Sequence, residues 1–399
     1  MKILVLCQYF YPEQFRVNDI CFELANEGHE VTVITGLPNY PSGRVESEYK
    51  WFRKRKEVIN GVKVIRSWLI GRGRGTKRLA LNYISFAISA TLKSLFINKE
   101  FDVILVYQLS PITMALPGIL LKKLTRKPLI LYCHDLWPES IVAAGISQNS
   151  KTYNVLLKLS QWIYQRADEV FVSSRSFEEY LSNTLGVTRK ITYLPVYAET
   201  VYENTKEVKN SKETLDLLFA GNIGEMQSVE TIIKAANELK DKSFINWHII
   251  GDGSSRRKCE ELAKQMKLDN VIFYGHHTIS EMPSFYELAD AFLITLKADK
   301  IISYTLPNKV QSYMAAGKPI IGAIDGETKR VINEAQCGLC CAAEDYKELA
   351  NIVKDFSNLK SRYSWYSQNA RKYYDDNFPK EIFMYRLNNL LQDATREDA

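Results

Sequence analysis

A lysine at the start of a short predicted helix is the first residue whose position suits chemistry. Apolar runs predict strands at Ala291–Leu296 and Pro319–Ile324, and between them Pro307 suits the first position of a helix. Gly317 favours a left-handed stop for this helix, and Pro319 prevents its continuation. The stretch therefore predicts a strand, a loop, one short helix and a second, parallel strand.

The loop and the start of this helix are expected at the carboxyl edge of a parallel sheet, where open α/β sheets bind ligands. The free backbone N–H groups of Asn308, Lys309 and Val310 would point outward there, beside the cation of Lys309. This combination predicts an anion site that suits phosphate. The alternative is an ordinary packed helix with a solvated lysine, and the pattern alone leaves both open.

Length and composition indicate a folded protein of two domains. The 399 residues exceed what one hydrophobic core usually serves, and 46% apolar with 25% charged residues is an ordinary balance. The sequence begins with an apolar strand pattern, without the basic region and cleavage site of a signal peptide, so a cytoplasmic location is expected. Seven scattered Cys agree with a reducing compartment, and the C-G-L-C pair Cys337 and Cys340 is interpreted as core.

The charge is unevenly divided between the two halves. Residues 1–198 contain 26 Lys and Arg against 16 Asp and Glu, whereas residues 199–399 contain 26 against 30. The excess of positive charge therefore belongs to the first half alone. This asymmetry suggests that one domain faces a polyanion, either an anionic membrane or nucleic acid.

Alternating apolar and helical patterns predict two α/β domains, each a Rossmann-like, doubly wound parallel sheet. Seven strand-like runs in residues 1–198 form the first domain, and six in residues 199–376 form the second. Between them, Pro195–Asn210 is polar and is interpreted as a linker. Residues 377–399 follow, with a helix at Pro379–Gln392 that would cross back to the first domain. Two such domains would face each other across a cleft, which is the expected ligand site.

Several phosphate and metal motifs are absent from the sequence. The turn after the first strand, Cys7–Asn18, lacks G-x-G-x-x-G, so a dinucleotide on the first domain is not expected. The run Gly71–Gly75 has only part of that spacing and is interpreted as a basic loop. There is no P-loop and no pair of Asp two residues apart, so no D-x-D site for a metal and a diphosphate is expected.

Six motifs, in order along the chain, carry a resemblance to a known family. They are K-I-L-V-L-C-Q-Y-F-Y-P-E from Lys2, G-H-E-V-T-V-I-T-G from Gly28, Y-C-H-D-L-W-P-E from Tyr132, A-G-N-I-G-E from Ala220, I-I-G-D-G from Ile249 and L-P-N-K-V-Q-S-Y-M-A-A-G-K-P from Leu306. Over essentially its full length the chain resembles the GT-B glycosyltransferases of family 4, which retain the anomeric configuration. It is most similar to the capsule and O-antigen group that includes N-acetylfucosaminyl transferases.

The resemblance implies transfer of a sugar from a nucleotide-sugar donor, held mainly by the second domain, to an acceptor held by the first, without a metal or another cofactor. Helix N-termini, backbone N–H groups and cations would then stabilise the departing diphosphate. The implied donor-binding residues are Asn222, Gly224, Gly251, Gly253, Arg256, Tyr304, Leu306, Pro307, Asn308, Lys309 and Ser312.

His134 matches the histidine that members of this family place near the donor sugar, and it is the implied catalytic residue. It follows an apolar run, so it is expected at the carboxyl edge of the sheet, where it would hydrogen-bond a donor hydroxyl or stabilise charge near the anomeric carbon. The alternative is a structural histidine that caps the next helix. Glu139 is expected to be either a supporting partner of the site or a first-turn acid on a helix.

Two departures from the family pattern concern the ribose and the acceptor. The family's acidic pair, E-x7-E, would fall on Tyr304 and Ser312, and Ser312 can still bond a ribose hydroxyl, although more weakly than a carboxylate does. The glycine pair often found after the first strand is replaced by Glu13 to Arg16. The expected acceptor-side residues are therefore Glu13, Arg16 and Asn18.

A third departure concerns the cations that bind the diphosphate. The Arg and Lys that commonly follow the first strand of the second domain fall on Asn222 and Gln227. The phosphate role therefore shifts to Lys309, with Arg256 as a helper.

Two basic segments accompany an apolar helix predicted at Leu79–Ile97. Lys50–Lys56 interleaves aromatic residues with cations, and Arg72–Arg78 directly precedes the helix, which is too polar to be a good membrane span. The pattern predicts attachment to anionic lipid on the inner face of the plasma membrane, as a polyprenyl-diphosphate-linked acceptor would need. The alternative is a buried helix beside a solvated charge run. No nucleic-acid-binding module accompanies these cations, so no nucleic acid is expected as a partner.

The resulting hypothesis is a glycosyltransferase of capsule or O-antigen synthesis. It would move an N-acetylated hexosamine or deoxyhexosamine from a UDP-sugar to a lipid-linked glycan, and the choice of UDP over GDP rests on the resemblance alone. Two alternatives remain open. One is a UDP-sugar 2-epimerase, which has the same two-domain fold, and the other is a non-catalytic nucleotide-binding scaffold, which the missing acidic pair would permit.

Overall fold

The computed structural model describes residues 1–51, 53–142, 145–203, 205 and 213–396. They form two compact units: unit 1 combines residues 1–194 with the C-terminal segment from Met384, and unit 2 comprises Pro195–Phe383. Part of the predicted linker Pro195–Asn210, namely positions 204 and 206–210, lies outside the described residues. So does Phe52 of the predicted basic segment.

Unit 1 contains an eight-stranded sheet. Its strands are β1 (Lys2–Leu6), β2 (Glu30–Thr35), β3 (Lys56–Ile59), β4 (Val62–Arg66), β5 (Val103–Gln108), β6 (Leu129–Cys133), β7 (Glu169–Val172) and β8 (Lys190–Tyr193). They are arranged in the order β3-β4-β2-β1-β5-β6-β7-β8, and every neighbouring pair is parallel except β3 with β4.

The central parallel strands come from apolar runs without polar alternation, as expected for a sheet covered on both faces, whereas β4 and β8 contain exposed or half-buried positions. All six residues of β5 and all five of β6 are buried. β3 was not predicted, because its residues follow the basic segment and alternate between exposed and half-buried positions. It pairs with β4 through a tight turn in which Asn60 and Gly61 have φ of 46° and 81°, as a type I′ turn requires.

The helices that flank this sheet are short apart from two. They are α1 (Arg16–Asn26), α2 (Thr76–Ser94), α3 (Leu116–Thr125), α4 (Glu139–Val142), α5 (Lys151–Tyr164) and α6 (Arg175–Glu179). α2 begins three residues before the predicted Leu79 because Gly75, at φ 83°, directly precedes it. Among the described residues, no helix has both the length and the apolar character needed to cross a bilayer.

Unit 2 contains a six-stranded, wholly parallel sheet with helices. Its strands are β9 (Leu215–Ala220), β10 (Ile245–Ile250), β11 (Val271–Gly275), β12 (Ala291–Thr295), β13 (Ile320–Ala323) and β14 (Gly338–Cys341), in the order β11-β10-β9-β12-β13-β14. Its helices are α7 (Val229–Glu238), α8 (Arg256–Gln265), α9 (Met282–Leu288), α10 (Lys300–Ser303), α11 (Asn308–Ala315), α12 (Gly326–Ala335), α13 (Tyr346–Ser357) and α14 (Tyr363–Asn377).

The sheet of unit 2 separates two apolar cores. One packs against α7, α8 and α13 around Trp247, and the other packs against α9, α11 and α14 around Tyr313. Tyr313 also donates a hydrogen bond to the carbonyl oxygen of Ala220, the last residue of β9. α11 is therefore fixed to the end of the strand where a ligand would bind.

The last helix, α15 (Lys380–Arg396), belongs to unit 1 from Met384 onward. Its Leu387 is fully buried. Asn388 lies 2.8 Å from the His29 ring nitrogen Nε2 and donates to the Glu27 carboxylate at 2.6 Å. The helix is therefore part of the first folded unit.

Candidate functional site

A cavity of about 430 Å³ lies in unit 2 at the carboxyl ends of β9 and β10. The loops after these strands form its floor, through Gly221, Asn222, Gly251 and Asp252. The first turn of α11, the loop after β11 and the segment around Glu199 form its walls. With Met282 and Tyr286 of α9, the lining comes from six separate parts of unit 2, as expected for a ligand site at the edge of an α/β sheet.

Two glycines let the backbone form this floor. Gly251 has φ of +137°, and a Cβ there would lie 1.8 Å from the Gly221 carbonyl oxygen, which is an impossible contact. Gly221 also has φ of +137°, and a Cβ on it would come within 2.9 Å of the Lys309 Nζ. Gly251 therefore requires glycine for both conformation and space, and Gly221 favours glycine for its conformation. The sequence prediction included Gly251 and missed Gly221.

Lys309 lines this cavity, and its ammonium group has no hydrogen-bond partner among the described residues. Within the described residues its Nζ is shielded from solvent and makes no hydrogen bond, and it lies 3.9 Å from the centre of the Phe219 ring. Burial lowers the pKa of the amine to about 7, because the charged form loses its hydration and gains no counter-charge. A bound anion would supply the missing partner.

The start of α11 differs in one detail from the predicted helix. Pro307 lies at the N-cap, with extended backbone at φ −65° and ψ 138°, and is not the first helical residue. Its carbonyl oxygen accepts the N–H of Val310 at 2.9 Å, so the prediction of a free N–H at Val310 was wrong. The N–H groups of Asn308 and Lys309 have no acceptor in the part of the chain that the structure describes. Two donors therefore remain beside the ammonium.

Ser312, one turn further along α11, lies close to a carboxylate that the sequence reading missed. Its Oγ is 3.2 Å from Glu199 Oε2 and 3.3 Å from the carbonyl oxygen of Asn308. Glu199 belongs to the segment predicted as a linker, far from α11 in sequence. The sequence indicated Glu199 only indirectly. Because Tyr304 and Ser312 are not acidic, a carboxylate at the site had to come from another part of the chain.

Other wall residues were also missed. Tyr202 and Tyr286 stack with ring centroids 4.6 Å apart and form one side of the cavity. His276 and His277 follow β11 and line the cavity as well. The two histidines come directly after a predicted strand. Because parallel strands bring their carboxyl ends to one edge of the sheet, the sequence could have predicted both histidines at the site.

Several predicted donor-binding residues do not line this cavity. Leu306 is 5% exposed and belongs to the apolar core, and Tyr304 directly follows α10 as its C-cap. The Arg256 guanidinium donates to Glu260 at 2.8 Å and lies 3.7 Å from Asp252. Pro307, Gly224 and Gly253 are likewise absent from the lining. The cavity therefore collects Asn222, Gly251, Asn308, Lys309 and Ser312 from the predicted set.

In unit 1, His134 directly follows β6, as the sequence indicated. Its ring packs between Tyr107 and Tyr132, with centroids 4.1 and 4.0 Å away. Its Nε2 is shielded and has no hydrogen-bond partner among the described residues. Burial lowers the pKa of the ring to about 3, so the imidazole is neutral at physiological pH. The neutral ring can take part in a hydrogen bond, but it cannot stabilise negative charge as a cation.

The predicted acceptor-side residues hold one loop of unit 1 in place. Glu13 is buried, accepts the N–H groups of Asn39 and Tyr40 at 2.8 and 2.7 Å, and has its pKa raised to about 7 by burial. Asn18 donates to the Glu13 carbonyl oxygen at 2.7 Å and accepts the N–H of Tyr11 at 3.0 Å. Arg16 pairs with Asp19 on α1. The polar groups of Glu13 and Asn18 are therefore used within the protein.

Glu139 is the first residue of α4, and its carboxylate is buried. Its Oε1 accepts the hydroxyls of Tyr153 and Tyr180, each at 2.7 Å, and its Oε2 accepts the Gln148 amide at 2.9 Å. These three donors satisfy the group within unit 1, which favours a structural role.

Solved structures share this two-unit architecture. Sucrose-phosphate synthase (tll1590) from Thermosynechococcus elongatus superposes with a TM-score of 0.77, at 15% identity, over 98% of this chain and 98% of that chain. Anabaena Alr3699/HepE in complex with UDP gives 0.73 at 14% identity, over 98% of this chain and 100% of that one. The likeness concerns the fold. It confirms the predicted GT-B fold, two parallel-sheet α/β domains, which is a fold of glycosyltransferases.

Family comparison identifies both parts of the chain. Residues 14–196 match the family "Glycosyl transferase 4-like domain", and residues 201–373 match the family "Glycosyl transferases group 1". Each part of the chain therefore matches a glycosyltransferase family, and the two matches together cover most of its length. A relative from Escherichia coli (strain K12), named "Putative colanic acid biosynthesis glycosyl transferase WcaI", is 27% identical over 339 residues, which cover 79% of this chain and 82% of that protein. The predicted likeness to N-acetylfucosaminyl transferases stays a prediction.

Proposed function

We propose that this protein transfers a sugar from a UDP-sugar to a lipid-linked glycan during synthesis of a cell-surface polysaccharide. The observation that carries the proposal is the shielded ammonium of Lys309, which has no hydrogen-bond partner among the described residues, on the first turn of α11 that lines the unit 2 cavity. Support for the pathway comes from the relative named for colanic acid biosynthesis. Support for UDP comes from the neighbour HepE, which was solved with UDP and with UDP-glucose.

The diphosphate of the donor is assigned to Lys309 and to the first turn of α11. The N–H groups of Asn308 and Lys309 and the positive end of the helix attract an anion, and the ammonium adds a full charge. Gly221 and Gly251 form a floor without side chains, which allows phosphate oxygens to come close to the backbone. In this proposal these groups, without a divalent ion, stabilise the charge that develops as the diphosphate leaves.

The ribose is assigned to Glu199 and Ser312. A carboxylate accepts two hydroxyl hydrogen bonds better than a serine does, and Glu199 lies against Ser312 on the cavity wall. In this proposal Glu199 provides the acidic group that the family pattern places at the positions of Tyr304 and Ser312. This assignment removes the main sequence argument for a non-catalytic scaffold.

His134 is the proposed catalytic residue of unit 1. Because its imidazole is neutral, its role would be a hydrogen bond to a hydroxyl of the donor sugar, with retention of configuration at the anomeric carbon. The sugar is expected to be an N-acetylated hexosamine or deoxyhexosamine. The acceptor is expected to be linked to a polyprenyl diphosphate, so that the enzyme works at an anionic membrane surface.

The first test is a thermal-shift comparison of UDP, GDP, ADP and dTDP, since a ligand that binds the folded state raises its melting temperature. We expect the largest rise with UDP, and a much smaller one for the variant Lys309→Met. Failure of every diphosphate to raise the melting temperature would contradict the proposed site.

The second test follows the products of a UDP-sugar by mass spectrometry, with and without lipid-linked glycan extracted from membranes. Transfer should occur only with the acceptor present. A sugar isomer formed without acceptor would identify a 2-epimerase, and nucleotide binding without turnover would identify a scaffold.

A further inference from the structure

One side of unit 1 carries an exposed apolar stripe along α2. Leu81, Ile84, Ile88 and Leu92 recur at intervals of three or four residues, and between 46% and 57% of each is exposed. Phe96, just beyond the helix, continues the stripe and is 86% exposed. A helix of a globular protein normally turns such a face toward the core. The opposite face of α2 already does this, so the stripe is a second apolar face that no described element of unit 1 covers.

An apolar groove of about 490 Å³ runs beside the stripe, between α2 and α3. Ile88 and Leu92 line it from α2, and Ile119 and Leu120 line it from α3. Trp162 of α5 stands at one end with 42% of its surface exposed. Apolar surface arranged in this way suits the hydrocarbon part of an amphipathic partner.

The groove continues into a cavity of about 620 Å³ with a strongly basic lining. Ile119, Lys123 and Trp162 line both spaces, so the apolar and basic regions are contiguous. The cations of the lining are Lys122, Lys123, Arg126, Arg166 and Arg189. Asp168 is the single acid among the lining residues, and it pairs with Lys122 at 2.5 Å.

Most of this positive charge has no internal counter-charge. Within the described residues the side chains of Lys123 and Arg126 make no hydrogen bond or ion pair. The Arg166 guanidinium lies 5.2 Å from the centre of the Trp162 ring, and among the described residues the Arg189 side chain donates only to the Gln165 carbonyl oxygen. Cations of this kind at the end of α3 also offset the helix dipole, but that role accounts for the last turn of α3 and not for Arg166 or Arg189.

We propose that this α2–α3–α5 surface, made of the stripe, the groove and the five cations, is the site where the protein docks on an anionic phospholipid bilayer. Lipid phosphates would occupy the basic cavity while the stripe and groove contact the acyl region. Trp162 lies at the junction of the two regions, the position that Trp favours at a membrane interface. The inference rests on the proposed function only for its lipid-linked acceptor. The sequence already predicted lipid attachment at the helix Leu79–Ile97, and the structure adds the groove and the five cations, which neither of the basic segments Lys50–Lys56 and Arg72–Arg78 indicated.

Charge complementarity favours a bilayer over a second copy of this chain. A symmetric dimer across the surface would bring the same five cations of each copy together, and this repulsion would oppose association. An anionic lipid surface instead neutralises the four cations that lack the Asp168 partner of Lys122. A bilayer also accepts the stripe and the groove together, because both belong to one side of unit 1.

The experiment measures binding of the full chain to vesicles of phosphatidylcholine alone and of phosphatidylcholine mixed with phosphatidylglycerol. One triple variant, Lys123→Gln, Arg126→Gln and Arg166→Gln, removes cations of the surface. A matched triple variant, Arg53→Gln, Arg74→Gln and Lys77→Gln, removes the same charge from the two basic segments. The double variant Ile88→Ser and Leu92→Ser tests the apolar part, and thermal melting verifies that each variant folds.

The wild type should bind the anionic vesicles and should not bind the neutral ones. At about fivefold for each cation, the surface triple variant should bind them on the order of 100-fold more weakly, while the matched triple changes binding much less. The double variant should also lose binding. Equal losses in the two triple variants, a wild type that ignores anionic vesicles, or a dimer that the double variant dissolves would overturn the inference.

UDP affinity separates this inference from the proposed function. None of the substituted residues lies in the unit 2 cavity, so UDP should bind all variants equally. Vesicle binding without UDP binding would contradict the proposed function alone. UDP binding and sugar transfer without vesicle binding would contradict the docking surface alone.

Discussion

Replacing Lys309 with methionine removes the ammonium of the unit 2 cavity while keeping a side chain of similar length. At pH 7 we expect UDP to bind this variant several-fold to about 100-fold more weakly, the loss of about 1–3 kcal/mol that follows removal of a hydrogen bond to a charged group. Lys300→Met is the matched control, because Lys300 is exposed on α10 and does not line the cavity. It should leave the affinity unchanged.

The pKa of Lys309 adds a sharper expectation for the wild type. With a pKa of about 7, the amine is half protonated at pH 7, and only about 3% of it is protonated at pH 8.5. Bound diphosphate should return the pKa toward its ordinary value, so binding at pH 8.5 takes up nearly one proton. UDP affinity should therefore fall about 15-fold, or about 1.6 kcal/mol, between pH 7 and 8.5.

The same linkage has a definite sign for the stability of the free protein. The unfolded lysine keeps its ordinary pKa of 10.5, so between pH 7 and 10.5 the unfolded state binds more protons than the folded state. The contribution of Lys309 to the free energy of unfolding therefore rises with pH in this window, while the stabilisation by UDP declines.

Calorimetric titration at pH 7 and 8.5, in two buffers of different ionisation enthalpy, measures both the affinity and the proton uptake. The uracil ring is neutral and the phosphates are largely ionised in this range, so the ligand adds little of its own. The reasoning is refuted if wild-type affinity is constant over this range. It is equally refuted if the methionine variant keeps the same pH dependence.

Three further predictions concern single residues. Glu199→Gln should weaken UDP binding about tenfold, whereas 2′,3′-dideoxy-UDP should bind wild type and variant alike if the carboxylate contacts ribose hydroxyls. His134→Ala should slow transfer about 10- to 100-fold and change UDP affinity by no more than about twofold. Because the His134 ring of the wild type has a pKa of about 3, protonation of this ring should not lower the wild-type transfer rate between pH 5.5 and 7. Asn18→Ala should lower the free energy of unfolding in urea by about 1–3 kcal/mol because two backbone partners lose their hydrogen bonds, while Asn26→Ala, at the exposed end of α1, should change it by less than about 0.5 kcal/mol.

The fold was largely predictable because the central strands of its sheets are buried on both faces. Such strands appear in the sequence as continuous apolar runs, and the central strands of both sheets were found in this way. β3 escaped because it is an edge strand with exposed, charged positions, including Lys56 and Glu57. The Asn60–Gly61 turn was its only sequence signal.

Only those site residues that belong to one short stretch of sequence were predictable. Lys309 was found because a strand, a loop and a helix occur together in one short stretch. Its isolation above Phe219 depends on β9, almost a hundred residues away in sequence, so no local pattern indicates it. Glu199 and Tyr202 were missed for the same reason: they enter the cavity through tertiary packing from a segment that reads as a polar connection.

The placement of α15 has a consequence for how the chain is made. Unit 1 gains the buried side chains of Met384, Leu387 and Leu391 only after the whole of unit 2 has left the ribosome. During the synthesis of unit 2, unit 1 of the nascent chain is therefore incomplete, and its surface around His29 is uncovered. For the same reason, residues 1–194 expressed without this helix should be poorly soluble, and supplying α15 as a separate peptide should improve their recovery.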